Sequence, residues 1–342
     1  MSSRPTLVDL ARAARVSVAT VDRVLNARHK VREPTAERVL HAAEAIGFHA
    51  APLLKRRLRA EAPVRTFGFL LQKPDAYYRQ IGAEVEAAAA RLTICRARVV
   101  IEYVAEISPT ASGFDWERGG ATADALAVVS VDHPRVSDAI LRLREAGKPT
   151  FALISDLTAE ARAGYIGRDN RREGRTAGWL IVKAAPRPGQ VAIIVGSHRY
   201  ICQETNEIAF RAYMREHAPS FEMIETLVNL EDSRLADAAT RELMARRPDL
   251  VGLYVAGGGM DGVVAAAREE ARPGALAIVG HELTPANRAG LIDGVLTAVL
   301  STPIALLAER GLEAMNRAVE EGVGEAAAQV VAPFEVWLGT NI

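Results

Sequence analysis

The chain has 342 residues, 49% of them hydrophobic, with 42 Lys and Arg balancing 42 Asp and Glu; this is the composition of a globular protein large enough for more than one core. Only Cys95 and Cys202 occur, with no CxxC and no His cluster at metal spacing, which argues against a disulfide framework or a metal site. No run of about 18 apolar residues appears and MSSRPTLVDL lacks an apolar signal core, so a cytoplasmic protein outside the membrane is expected.

The balanced charge is unevenly divided. Residues 1–60 carry 12 Lys and Arg against 5 Asp and Glu, a net of +7, and residues 61–342 carry the opposite −7. A basic front end favours a polyanionic partner. Within it, Thr6 to Asp9 has the spacing of a capping box, with Leu7, Leu10, Ala11 and Ala14 giving one apolar face. Arg15 and Val16 make a tight turn, and Ser17 can cap a second helix in which Val21, Val24 and Leu25 point inward. Val18, Ala19, Asp22, Arg23 and Asn26 are left outside. Pro34 suits the first position of a third helix, with Val39, Leu40, Ala43 and Ile46 buried and Gly47 at its end. A short helix beginning at Pro52 bears Lys55, Arg56, Arg57 and Arg59; about two turns are marginal alone, so it needs a surface to form against.

From Thr66 onward apolar strands alternate with amphipathic helices: FGFLL, VVIEYV, ALAVVSV, PTFALIS, YIG, VAIIVG, MIETLV, VGLYVA and LAIVGH. That alternation predicts parallel sheets covered by helices. Four strands precede Ser155 and five follow Gly164, which reads as two doubly wound lobes. The loop AGGGMDG lies between a strand and a helix, where glycines can cradle phosphate; it lacks GxGxxG and a P-loop Lys, so a tight turn is the better reading.

TLVDLARAARVSVATVDRVLN, followed by TAERVLHAAEAIGF, resembles the DNA-binding headpiece of the lactose-repressor (LacI/GalR) family of bacterial transcription regulators. YIGRDNRREGRTAGWL, GHELTP and the strand order extend the likeness over nearly the whole chain. The resemblance implies an N-terminal all-α helix-turn-helix headpiece (1–48), a hinge helix or linker (49–63) and an α/β two-lobed periplasmic-binding-protein-like domain with parallel sheets (64–342). Lobe 1 is expected at about 64–160 and 290–320, and lobe 2 at about 161–289 and 321–342.

Family likeness makes Ser17 to Leu25 the recognition helix, with Val18, Ala19, Asp22 and Arg23 toward bases and Thr6, Ser17, Thr20, Asn26 and Thr35 toward phosphates. Arg23 is the candidate guanine reader. For Asp22 two roles stay open: accepting from cytosine N4, or holding Arg23 or a neighbouring cation in place. In the hinge, Leu58 is the candidate minor-groove wedge, flanked by Arg56 and Arg57. Here the usual Pro-Asn beginning is replaced by Ala50 and Ala51, and the leucine is displaced by one residue.

Strand ends facing the cleft give the effector candidates Tyr77, Tyr78, Asp132, His133, Asp156 and Glu282, a set of aromatic faces and carboxylates suited to sugar rings and hydroxyls. Two positions depart from the family: ETNEIAF puts Asn206 where related sensors carry an arginine, and Gly258 and Gly259 replace Asn-Asp. The lost donor and acid argue for an altered ligand, with Arg199 and Gln203 as replacements. The expected function is a dimeric repressor of palindromic operator DNA, controlled by a sugar, polyol or related metabolite, without cofactor or catalysis. A transport receptor of the same two-lobed fold is the alternative. An enzyme is disfavoured, because no nucleophile elbow, metal set or cofactor fingerprint is present.

Overall fold

The computed structural model describes residues 4–26, 31, 33–73, 75–104, 122–270, 276–324 and 326–342. They form two compact units, Met1–Thr66 with Glu86–Val99, and Phe67–Val85 with Val100–Ile342.

In the first unit, α1 (Leu7–Ala14) starts with the capping box the sequence predicts: the Thr6 hydroxyl accepts from Asp9 N–H, and the Asp9 carboxylate accepts from Thr6 N–H at 2.9 Å. Arg15 in the left-handed region (φ 54) ends it and turns the chain into α2 (Val18–Asn26). Ser17 caps α2, its Oγ accepting from Thr20 N–H at 3.1 Å. The third helix, α3, spans Glu33–Ala45. Leu10, Ala11, Ala14, Val21, Val24, Val39, Leu40 and Ala43 form one buried cluster with Phe48, Ala51 and Leu54. Leu7 departs from the expected stripe and is exposed, because the buried arc of α1 is met by Leu10, Ala11 and Ala14 alone. The short helix exists as α4 (Ala51–Glu61), and the surface it forms against is this headpiece core.

From Val64 onward the strands sort into two sheets. The first runs β12 (Ala328–Ala332), β5 (Gly164–Arg168), β4 (Thr150–Leu153), β3 (Ala125–Val128), β1 (Val64–Gln72), β2 (Arg96–Val104). The second runs β13 (Glu335–Trp337), β11 (Ala298–Ser301), β10 (Ala277–His281), β9 (Leu250–Val255), β6 (Gln190–Val195), β7 (Glu222–Met223), with β8 (Leu227–Val228) also on β6. Strand β13 lies antiparallel on β11, whereas β3, β4, β5, β9 and β10 pair in parallel with both neighbours. Strands β3, β4 and β9 are buried along their whole length, as sheets covered on both faces require.

The lobe division differs from the expected one. Strand β5 lies in the first sheet, its Gly164, Tyr165 and Ile166 opposite Phe151, Ala152 and Leu153 of β4. Gly164 is required there, because a Cβ would come within 2.5 Å of the Ala328 carbonyl on β12. The 290–320 segment is split as well: β11 belongs to the second sheet, while α12 (Ile304–Glu321) packs on β3, β5 and β12 of the first. The chain therefore passes between the sheets at 168–170, 301–304 and 332–335. Chain order alone could not show this, since YIG reads equally well as the last strand of one sheet or the first of the next. MIETLV is also interrupted, into β7 and β8, where the Thr226 hydroxyl turns aside to Glu207 and Arg211.

Between the strands run α5 (Ala76–Arg91), α6 (Pro134–Glu145), α7 (Asn170–Ala184), α8 (Ile201–His217), α9 (Ser233–Arg246), α10 (Met260–Glu270) and α11 (Pro285–Ile292). Among the described residues no helix is long and apolar enough to cross a membrane.

Candidate DNA-reading surface and ligand cleft

On α2, Val18, Ala19, Arg23 and Asn26 are exposed, while Val21 and Val24 are buried, so an outward face is held by an inward apolar edge. Asp22 is half-buried and its Oδ1 accepts from Asn26 Nδ2 at 2.7 Å, one helical turn on. Ser17 and Thr20 hydroxyls lie 2.8 Å apart at the start of the helix, where free N–H groups also gather. Thr6 is exposed at the start of α1, and Thr35 is half-buried in α3.

The hinge candidates face different ways. Arg57 donates to the Leu25 carbonyl at 2.7 Å and to the Val24 carbonyl, covering the C-terminal end of α2. Such a cation satisfies carbonyls that a helix end leaves open. Leu58 is half-buried against the headpiece core and Arg56 is exposed. The leucine that α4 turns outward is Leu53, 78% exposed.

In the second unit, strand ends converge on a cavity of about 280 Å³, room for about nine water volumes and so for a small ligand. Tyr77, Tyr78, Gln203, Asn206 and Glu282 line it, joined by Lys73, Asp75, Arg168, Tyr200, Glu231, Asp261, His281 and Asn287. Four of the expected effector residues are not among the lining. Asp132 pins the Thr158 N–H (2.9 Å) and hydroxyl, and His133 caps α6 by accepting from Arg135 N–H. Asp156 pairs with Arg162 at 2.8 Å, and the Arg199 carbonyl accepts from Asp132 N–H. All four follow strand ends or lie near one, but short loops give their polar atoms local partners first.

Arg168, at the end of β5 where the chain first changes sheet, is the buried cation of the cleft. Its Nη1 lies 3.0 Å from Oε1 of both Glu173 and Glu282. Burial opposes its charge, but Glu173 and Glu282 outweigh that and hold it protonated. Glu173 is fully buried and burial pushes its carboxyl up to about 7 against the pull of Arg168. Burial, then Arg168, keeps His281 neutral, and its Nε2 shares a 2.8 Å hydrogen bond with Tyr254. Glu282 reaches the second crossover, accepting from Thr302 N–H at 3.0 Å and from its hydroxyl at 2.9 Å, while Tyr77 bonds that hydroxyl at 3.2 Å. A single charge network thus joins two of the segments that link the sheets.

The glycine loop is spoken for. Gly258 N–H donates to Glu231 Oε2 at 2.8 Å, and Asn229 Nδ2 donates to the Gly258 carbonyl at 2.8 Å. Gly259 has φ 86, the turn conformation expected, and the Glu231 carboxylate takes the Gly258 N–H, one of the donors a phosphate would use. Gln203 serves the same knot: its Oε1 accepts from Gly196 and Ser197 N–H, and its Nε2 donates to Glu231 Oε1 at 2.7 Å. Asn206 Oδ1, Tyr200 Oη, His281 Nδ1 and Asn287 Oδ1 are buried with no hydrogen-bond partner among the described residues. Buried polar atoms are rarely left so, and these border the cavity.

Among the described residues, hydrogen bonds that bridge the lobes beside it run from Lys73 Nζ to the Glu231 carbonyl (2.8 Å), from Asp132 N–H to the Arg199 carbonyl (2.8 Å) and from Cys202 N–H to Ser155 Oγ (3.3 Å). Sequence reasoning missed Arg168, although it stands in YIGRDN, and Glu231, whose φ of 60 follows Leu230 at φ 53.

These features define a two-lobed ligand-binding fold preceded by a helix-turn-helix headpiece. The chain belongs to the periplasmic binding protein domain family, whose model matches residues 67–325, and residues 6–50 match the model of bacterial regulatory proteins of the lacI family. It is 27% identical over 213 residues to an uncharacterized HTH-type transcriptional regulator from the aml 5′ region of Streptomyces limosus, covering 58% of this chain and 54% of that one. It spans about half of that relative's length. Among solved structures it resembles an Agrobacterium vitis solute-binding protein of an ABC transporter, bound to alpha-D-tagatopyranose, with TM-score 0.74, 19% identity, and 81% and 95% of the two chains covered. It also resembles a Burkholderia graminis C4D1M counterpart in complex with D-arabinose, with TM-score 0.75, 17% identity, and 82% and 97% covered. Likeness at this identity establishes the fold.

Proposed function

We propose that this chain is a transcriptional regulator whose affinity for operator DNA is set by a small ligand in the interlobe cleft, and that its role is binding rather than catalysis. The observation that carries this reading is the presence in one chain of a basic helix-turn-helix headpiece and a polar-lined two-lobed cleft. Arg23 reads guanine through its paired donors, Val18 and Ala19 meet thymine methyls, and Asp22 steers Asn26 beside the phosphates. Thr6, Ser17, Thr20 and Thr35 join Asn26 in fixing the headpiece on the backbone.

The chain acts as a homodimer on a palindromic site, because one headpiece covers one half-site. The ligand belongs to the carbohydrate-like class, held by Tyr77, Tyr78, Asn206, Glu282 and Arg168. It works by linkage: a ligand that prefers one lobe arrangement shifts the population competent for DNA. For α4 to place Leu58 in a minor groove, that side chain must leave the headpiece core, whereas Leu53 is already outside.

Selection of duplexes from a random pool, followed by anisotropy titrations across salt, tests the DNA half. A palindrome bound far more tightly than random DNA at every salt is expected. Equal affinity for both would overturn sequence-specific regulation.

A further inference from the structure

Carboxylates gather where the cleft meets the glycine loop. Asp75 before α5, Glu231 before α9 and Asp261 in the first turn of α10 all line the cavity with Gly257, Gly258 and Gly259. Besides Arg168, Lys73 is the one Lys or Arg among the described lining residues. Arg168 already faces both Glu173 and Glu282. Burial raises the carboxyls of both Glu231 and Asp261 and the charge of Asp75 adds to each, while Gln203, the Gly258 N–H and Lys73 pull Glu231 the other way. Glu231 nevertheless accepts on each oxygen, from Gln203 Nε2 and Gly258 N–H, an arrangement that suits its ionised form.

A second observation points to a ligand in the same place. Asn206 and Tyr200 are only 2% and 4% exposed and line the cavity, yet Asn206 Oδ1 and Tyr200 Oη have no partner among the described residues. Glu231 occupies the loop N–H that an anion would otherwise use, so a phosphate or a sugar acid would meet carboxylates instead of donors.

We infer that the ligand is a small polyhydroxylated amine bound as its cation, its ammonium set against Asp75, Glu231 and Asp261 and its hydroxyls against Asn206, Tyr200 and Arg168. The inference rests on the reading of this cleft as the regulator's ligand site. Hydrogen bonds from a charged nitrogen to carboxylates are about twice as strong as neutral ones. They also supply the positive charge that three neighbouring acids share poorly when Lys73 stands alone. The same acids give selectivity, since a neutral parent sugar leaves them uncompensated.

The test is calorimetric titration of the full chain with glucosamine, galactosamine, mannosamine and a polyhydroxylated piperidine. Each amino sugar is paired with its neutral parent and its N-acetyl form, and glucuronate serves as the anion. At least one amine is expected to bind about tenfold or more tightly than its neutral partner. That preference should shrink in both Asp261→Asn, on an exposed helix start, and Glu231→Gln. A neutral sugar or glucuronate binding as tightly as any amine overturns the inference; if that ligand also changes DNA affinity, the regulator reading survives. No binding by any probe, with operator binding intact, removes both the cationic ligand and the carbohydrate-type cleft.

Discussion

Replacing Glu173 with glutamine tests the buried charge network at the crossovers. In the folded chain burial pushes Glu173 up to about 7, whereas its ordinary value is 4.5. Between those two pH values the folded state holds a proton that the unfolded chain has released, so stability falls as pH rises through the window. At 1.36 kcal/mol per pH unit the full loss is about 3 kcal/mol, complete above about pH 7. A glutamine at this position cannot titrate, and its neutral amide leaves Arg168 paired with Glu282. His281 is buried and neutral in both proteins and cancels in the comparison. Urea unfolding of wild type and E173Q from pH 4.5 to 8.5 reads the difference directly. The variant should gain on wild type by about 3 kcal/mol across that range, with most of the change below pH 7. A difference that stays constant with pH would show Glu173 to be an ordinary ionised carboxylate, with no proton held by burial.

Four other outcomes are expected. Arg23→Ala should cost about 1–3 kcal/mol at one base pair of the selected operator and little elsewhere, as read by competition with single-base variants of the half-site. Asp22→Ser should tighten binding to all duplexes alike, because the repulsion of phosphate by its charge outweighs its positioning of Asn26; loss of preference at one C·G pair would make it a cytosine reader instead. Thr6→Ala removes one side of the capping box and should lower headpiece stability by about 1 kcal/mol in thermal unfolding. Gly164→Ala forces a Cβ toward the Ala328 carbonyl and should cost about 1–3 kcal/mol in the lobe transition, with an unchanged midpoint arguing against the β5–β12 pairing.

The headpiece was legible because its signals are local. Thr6 with Asp9, Ser17 before Val18, and the inward Val21 and Val24 are set by spacing within single helices. The apolar runs likewise marked the strands, since each is buried whichever sheet it joins. What spacing could not convey was sheet membership: YIG pairs with the preceding strand β4 and, across a long stretch of sequence, with β12, and the small segments β11, β12 and β13 carry no strong pattern. The cleft was legible in part, since Tyr77, Tyr78, Gln203, Asn206 and Glu282 do line the cavity. Asp132, His133 and Asp156 sit where strand ends suggest a ligand, but Thr158, the α6 terminus and Arg162 claim their polar atoms. Arg168 was hidden because its importance comes from Glu173 and Glu282, one near it in the chain and the other more than a hundred residues on. Glu231 was hidden because nothing in NLED announces two successive left-handed residues. Asn206, in place of the expected arginine, does line the cavity, and the buried cation beside it is Arg168 of β5.

If the cleft governs the headpiece, occupancy of one must be felt at the other, and coupled binding reads this. Anisotropy of a labelled selected operator is measured with and without a saturating cleft ligand, in wild type and in Asn206→Leu, which fills the cavity wall without touching the headpiece. Operator affinity should change by about 5-fold or more in wild type and stay constant in the variant. A ligand that binds the cleft by calorimetry yet leaves operator affinity unchanged would show that the two sites are uncoupled and that the cleft does not regulate DNA binding.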